Sequence, residues 1–586
     1  MGEFDVNTGI PQGSPLSPIL FLFFNADLIE QISAECPEVF MIGYIDDIFT
    51  MAFGNSAAAN CRTLTKAHQV AERWERTHAS KFAAAKYQLA HFWRKYQSVP
   101  MPQGRLDVPL IIKGVEIKPV DSIKYLWVYL DTHLTGEVHV QEMRKKAAKL
   151  VAGLSSIAGS TWGTPLVHLW KIYTAVLQPQ IMYACFTWYI RGGRGFTGAQ
   201  RAAEQAIGLI QDQALHRISG AFKRTSRQAL EVCIHVSPAE LTLAKLAEEA
   251  CLRIMTSLLR STLYHVRGQA HRNDPYTSPL HRLETAINRK LGRDTTQRIE
   301  TIYPFVVPPW WEPPEARIDN TREEAIKAIE ATSRTDTTVQ FFTDGRELEG
   351  IDAALEILLR SQPRNDNLHE ATIYTDNQAA IRATCQSERS SGQYILRRIV
   401  RHLGLLRNNR SRWRVRLQWV PGHEGVPGNE KADQLAKLAA VEATQRTREN
   451  ARIARINTPN QTTPHAARMS YIPNQSTILV AVCRQRLHAG LAKWWKDQWE
   501  HAKHGRHRYR IIKEPTKRLL QLHEGLRRVW SSVLIQLQTG KSALRSFLAS
   551  VRIEDSPQCQ CGLGDQDTAH VLVRCPIYMN LRMETL

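Results

Sequence analysis

Long apolar runs are missing from this sequence of 586 residues. The longest, Ile19 to Phe24, falls far short of the roughly 20 residues a membrane-spanning helix needs, which excludes a helical membrane protein. An apolar leader is missing as well. The first residues, Met1-Gly-Glu-Phe-Asp, are acidic, so a secreted protein is not expected and an intracellular one, in nucleus or cytoplasm, is. Cysteine is sparse. Ten are present and seven stand singly, which argues against a disulfide scaffold and for a reducing compartment. Acid is in short supply: 56 Asp and Glu face 76 Lys and Arg, a net charge of +20. That balance argues against an acidic-surface metabolic enzyme and for a polyanionic partner.

What is present is globular composition, with 43% hydrophobic and 23% charged residues. The length calls for about three to five domains. Charge is uneven along them. Residues 441–550 carry a net +14, and 551–586 a net −2. In the basic stretch Trp and Tyr interleave with the cations, as in Lys493-Trp-Trp-Lys and Arg506-His-Arg-Tyr-Arg, a composition suited to single-stranded or structured nucleic acid. Five prolines between Pro304 and Pro314 forbid helix and central strand and predict a stiff linker. Apolar spacing of three and four predicts helices over Gln141–Ser155, Gln200–Ser219 and Pro238–Leu263. From Thr337 to Val441 short apolar strands (Val339–Thr343, Thr372–Thr375, Trp413–Val420) alternate with helical stretches, which predicts an α/β layer fold.

Three constellations carry chemistry. In Met41-Ile-Gly-Tyr-Ile-Asp-Asp-Ile-Phe-Thr-Met, Asp46 and Asp47 sit between two strand-like runs, where a hairpin turn displays paired carboxylates. Two hard cations about 4 Å apart require such oxygen ligands. Upstream, Gly9-Ile-Pro-Gln-Gly-Ser-Pro-Leu-Ser-Pro fixes a turn and opens an apolar helix. Second, Phe341-Phe-Thr-Asp344-Gly and Ile373-Tyr-Thr-Asp376-Asn each end an apolar strand in an acid. Trp419-Val-Pro-Gly-His423-Glu-Gly-Val-Pro-Gly-Asn429-Glu-Lys-Ala-Asp433 is a strand, a loop and a helix. Acids at the carboxyl ends of neighbouring strands converge on the ligand-binding edge of an open α/β sheet. Third, Cys559, Cys561, His570 and Cys575 form Cys-x-Cys-x8-His-x4-Cys, a set that can close a tetrahedral Zn²⁺ site. The alternative is a Cys/His-rich helical hairpin without metal.

Together these motifs resemble the reverse transcriptase and ribonuclease H regions of non-LTR retrotransposon proteins, in family order. Lys86-Tyr-Gln-Leu-Ala-His-Phe resembles the palm strand that carries a lysine. Tyr125-Leu-Trp-Val-Tyr-Leu-Asp resembles the primer-grip hairpin, although the family usually has Gly where this chain has Trp127. The resemblance implies Asp46 and Asp47 as Mg²⁺ (or Mn²⁺) ligands, with Gln12 beside the nucleotide and Lys86 as a proton donor to pyrophosphate. It implies Asp344, Glu347, Asp376 and Asp433 as metal ligands for two-metal hydrolysis of RNA in an RNA–DNA hybrid, with His423 aiding proton transfer or product release. It also implies a Cys/His motif that binds template RNA or target DNA.

The expected fold is multidomain α/β and α. A partial palm (1–135) precedes a helical thumb and connection (136–300), a Pro-rich linker (301–335) and a ribonuclease H-like α/β domain (336–442) that lacks two strands between Asp344 and Glu347. A basic helical tail (443–550) and a small Cys/His module (551–586) complete the chain. The expectation is an N-terminally truncated polyprotein whose polymerase part is inactive, because the family's first catalytic Asp has no counterpart. Its partners are RNA, RNA–DNA hybrids and DNA, with no membrane. The alternative is a catalytically dead nucleic-acid-binding remnant.

Overall fold

The computed structural model describes residues 9–11, 13–93, 106–190, 198–270, 278–331, 338–343, 348–361, 369–386, 391–408, 413–422, 424–438 and 477–585. Their packing separates one unit, residues 1–247 with 491–586, from another, residues 248–490.

In the first unit, Pro18 sits in the first turn of helix α1 (Ser17–Glu35), and the Ser17 hydroxyl donates to the Pro11 carbonyl at 2.6 Å. Helix α2 (Ala57–Thr77) is capped by Ser56, whose hydroxyl accepts from the Ala59 N–H at 3.2 Å. Ala67, Val70, Ala71 and Trp74 fall three and four apart on α2 and are buried against Leu28 and Ile32 of α1. Strands β1 (Val39–Tyr44) and β2 (Asp47–Ala52) form an antiparallel hairpin on these helices. Two further hairpins come next: β3 (Leu110–Ile112) with β4 (Val115–Ile117), and β5 (Ser122–Tyr125) with β6 (Val128–Asp131).

Helix α3 (Glu137–Ile157) then packs on the helix Gly198–Ser219. The helix predicted over Pro238–Leu263 is two, Ala239–Met255 and Arg260–Ala270. The break has a local cause. The Thr256 and Ser257 hydroxyls donate to the carbonyls of Arg253 and Ile254, in place of helix continuation. The basic tail is helical, as expected, but its aromatics are only partly displayed: Trp530 is exposed, others are not. Trp499 and Leu519 pack on Ala229 and Val232, and Trp495 and Arg508 are buried. Arg528 is buried too, and its guanidinium donates to the carbonyls of Gly159 and of Arg217 and Ile218, at the end of the helix Gly198–Ser219. Part of the interleaving that suggested a stacking surface is therefore core packing.

The second unit holds a parallel sheet in the order β7 (Glu315–Arg317), β10 (Trp413–Trp419), β9 (His369–Thr375), β8 (Thr338–Thr343). Ala371, Ile373 and Tyr374 of β9 are fully buried, as a parallel strand covered on both faces requires. Ile351, Leu355, Ile395, Ile399 and Leu403, from the helices Leu348–Arg360 and Gln393–Asn408, complete this core. The segment expected as a linker joins the fold. Val306 and Trp311 pack on the core, Glu315–Arg317 adds an edge strand, and Arg322–Ala331 is a helix. Pro304–Pro314 itself is neither helix nor strand, as proline dictates. Among the described residues β8 is the other edge. Nearby, the buried Glu300 carboxylate accepts from the Ser391 hydroxyl at 2.6 Å and from the N–H groups of Gly392 and Val480, both at 2.8 Å. It thereby supplies acceptors at the starts of two helices. Beside it Ile299 bridges Ile478.

Candidate nucleic-acid and metal sites

The β1–β2 register pairs Tyr44 with Asp47 and leaves Ile45 and Asp46 as a two-residue turn. Both acids are exposed. Ile45 lies at φ +54°, a conformation a β-branched residue adopts only under constraint. The constraint is Asn25. Buried on α1, its amide donates to the Ile45 carbonyl at 2.5 Å. Phe49, two residues after Asp47 on β2, meets Tyr125 of the β5–β6 hairpin, the two ring centres lying 4.9 Å apart. Burial first, then the Asp47 charge, pushes the Tyr125 phenol above its ordinary pKa. Asp47, Phe49, Lys86, Gln88, Lys124 and Tyr125 share the wall of a cavity of about 920 Å³.

Lys86 ends a single 3₁₀ turn (Ala84–Lys86) and does not lie on a strand as expected. The residues after it make one bridge, Leu89 to Pro119, and Pro119 has no N–H to extend it into a ladder. Gln12 lies outside the described residues. Its neighbour Gly13 is at φ +92°. The β5–β6 hairpin forms with Trp127 in its turn. Leu126 and Trp127 take φ +46° and +65°, the pattern of a type I′ turn, and the Tyr183 hydroxyl donates to the Leu126 carbonyl at 3.1 Å. Each such non-glycine residue costs about 1–2 kcal/mol.

In the parallel sheet Asp376 directly follows β9. The Trp419 indole N–H donates to the Asp376 carbonyl at 3.1 Å, and the Val420 N–H to the Thr375 carbonyl at 3.0 Å. These bonds bring the loop after β10 against the acid. A Cβ on Gly422 would stand 3.2 Å from the Asp376 Oδ2, and one on Gly428 only 2.5 Å from the Phe342 ring. Glycine at both places lets the loop and the helix over 427–438 approach the ends of β9 and β8. Asp433 lies on that helix, half-buried and paired with Lys437 one turn on. Asp344, Glu347 and His423 lie outside the described residues. Asn25, Gly422 and Gly428 escape a reading of the sequence. Their signals there are a lone amide after an apolar run and glycines in a loop that reads only as flexible.

At the third constellation the four side chains converge. Their ligand atoms all lie within 4.8 Å of one another, the one group of three or more such residues found among the described residues. Gly562 at φ +71° and Gly564 at φ +138° fold the chain so that the Cys559 N–H reaches the Gly564 carbonyl at 2.8 Å. The Asp567 carboxylate accepts from the His570 N–H at 2.7 Å, and a wide turn over His570–Arg574 returns Cys575. Cys559 and Cys575 sulfurs stand 3.7 Å apart, and Cys561 Sγ lies 3.1 Å from His570 Nε2. A disulfide needs about 2.05 Å. A tetrahedron with bonds of about 2.3 Å has a sulfur–sulfur edge of about 3.8 Å. The Cys561 backbone N–H leads the groups that draw the Cys559 thiol down to about 7, toward the thiolate a metal binds.

No described helix is long and apolar enough to cross a membrane. Two stretches of the chain match known protein families. Residues 2–130 match the reverse transcriptase (RNA-dependent DNA polymerase) family, and residues 310–441 match the RNase H family. The chain is 25% identical over 221 residues to the RNA-directed DNA polymerase from mobile element jockey of Drosophila funebris, which covers 37% of this chain and 22% of that protein. It is 25% identical over 292 residues to the probable RNA-directed DNA polymerase from transposon X-element of Drosophila melanogaster, covering 49% and 27%. With the Pol polyprotein of type-1 retrotransposable element R1 4 from Nasonia vitripennis it shares 27% over 164 residues, 28% of this chain and 36% of that one. The matches thus span about a fifth to a third of the length of these relatives. The turn acids at 46 and 47 fall in the first matched region and the strand-end acids in the second, and the chain carries a region of the reverse transcriptase family and a region of the RNase H family, with partial similarity to retrotransposon proteins.

Proposed function

We propose that the chain acts on RNA–DNA hybrids through its ribonuclease H region and grips RNA or DNA through its reverse transcriptase region. It works inside the cell, in nucleus or cytoplasm, within the domain limits expected from the sequence. The observation that carries this reading is the meeting of Asp376 with the loop at Gly422 at the carboxyl edge of a parallel sheet. Asp344, Glu347, Asp376 and Asp433 are hard oxygen donors of the kind Mg²⁺ or Mn²⁺ prefers. Bound cations there would supply charge that stabilises negative phosphate oxygens during hydrolysis. Asp376 fixes the edge of the site, Gly422 keeps it open to a phosphate backbone, and His423 moves the proton of the attacking or leaving group. Cys559, Cys561, His570 and Cys575 fit Zn²⁺, and that module contacts RNA or DNA.

Polymerisation by these residues alone is not part of the proposal. Asp46 and Asp47 belong to no group of three or more close ligands among the described residues, and two carboxylates do not hold two metals in line. Lys86 and Gln12 then serve nucleotide binding only. Primer extension that is abolished by Asp46→Asn would refute this. A second reading, a nucleic-acid-binding remnant without catalysis, is favoured by one observation: among the described residues β8, the strand leading to Asp344, is paired on one side only. The deciding assay is Mg²⁺-dependent release of label from an RNA–DNA hybrid. Release that disappears in Asp376→Asn supports hydrolysis. Hybrid binding without release selects the second reading.

A further inference from the structure

Trp127 breaks two habits of soluble proteins at once. Its indole is 66% exposed, and its backbone sits at φ +65°, where glycine fits without strain. Neither feature helps the free protein. The turn is nevertheless held firmly, by the Tyr125–Val128 pair beneath it and by the Tyr183 hydroxyl on Leu126. Cations gather at the ring: the Lys124 ammonium lies 3.5 Å from its centre and that of Lys146 5.9 Å. Lys124 also lines the cavity that holds Asp47. Trp162, Trp310 and Trp530 are exposed too, but none of them takes positive φ.

We propose that Trp127 is a stacking platform for one base of a single-stranded nucleic acid whose backbone is held by Lys124 and Lys146 beside the ring. This rests on the reading of the reverse transcriptase region as a nucleic-acid grip. The chemistry comes from the parts. Lys124 occupies one face of the indole and leaves the exposed remainder to a base. Stacking accepts any base, because every base has a π-face, while the ammonium groups attract phosphates. A rigid indole at a pinned turn loses little freedom on binding. The strained turn thus presents an aromatic plane where a glycine would present none.

The test uses the full chain and 12-nucleotide DNA and RNA strands, each carrying one 2-aminopurine, scanned along the strand. Stacking on indole quenches this base. We expect quenching at one position in the wild type, its loss in Trp127→Gly, and most of it kept in Trp127→Phe. Affinity for the strands should fall about 5- to 150-fold in Trp127→Gly, the range of a single base stack. It should not change for a strand abasic at that position. The melting temperature of Trp127→Gly should equal or exceed that of the wild type, which separates binding from folding. Quenching in RNA alone or DNA alone identifies the strand the platform takes. Binding by the wild type with the same quenching in Trp127→Gly, or with no quenched position, overturns the platform and leaves the grip standing. No binding of either strand by the wild type at low salt overturns the grip and the platform together.

Discussion

At Asp46 and Asp47 the acids crown a two-stranded hairpin with Phe40, Ile42 and Tyr44 exposed along β1, whereas Asp376 follows a strand flanked on both sides and buried from Ala371 to Thr375. The first turn is positioned by one hydrogen bond from Asn25 and by a strained Ile45. The second is positioned by two ladders, the Trp419 indole and a tightly apposed loop. Acids at strand ends are easy to supply. Holding them to a fraction of an ångström depends on the neighbours of the strand, and β9 has more of them than β1.

Substitutions of one kind in the two strands measure that difference. Ile373→Ala in β9 removes a fully buried side chain and should destabilise by about 2–5 kcal/mol in urea unfolding. A pH effect comes next. Glu231, buried on the helix Arg227–Cys233, has its carboxyl pushed up to about 8, first by burial. A raised carboxyl favours the protonated folded form, so its contribution is full below about pH 4.5 and is lost as pH rises toward about 8. Melting temperatures of Glu231→Gln should therefore gain on the wild type over that window.

Gly422→Ala should cut hybrid cleavage about tenfold or more with little change in stability, because its Cβ would press on the Asp376 carboxylate from 3.2 Å. Asn25→Ala leaves the Ile45 carbonyl without its donor and should cost about 1–2 kcal/mol, with weaker Mn²⁺ binding at Asp46 and Asp47 by calorimetry. Ile42→Ala, at a position already 39% exposed, should cost less than about 1 kcal/mol. A cost equal to that of Ile373→Ala would erase the contrast between the two strands.

Much of this is legible in the sequence where one rule dominates. The strands Thr338–Thr343, His369–Thr375 and Trp413–Trp419 can be read within a few residues because parallel strands demand continuous apolar runs. The Cys/His cluster can be read from spacing alone. Lys86 reads wrongly as a strand residue because the obstacle, Pro119, lies on another segment. Trp495 and Trp499 of the tail are core residues that read as displayed surface, because composition does not tell a core indole from an exposed one. Asn25 passes unnoticed because its partner is a backbone carbonyl twenty residues away.

Glu300 has an architectural consequence. Its carboxylate and the Ile299–Ile478 bridge bring the two ends of a long excursion to one point. A segment whose ends meet is topologically an insert. It can be lengthened, trimmed or exchanged without altering the spacing between its two flanks. For residues 300–478 that makes the stretch holding the RNase H-family match an insert between two flanks, which the Glu300 carboxylate and the Ile299–Ile478 bridge hold where they meet.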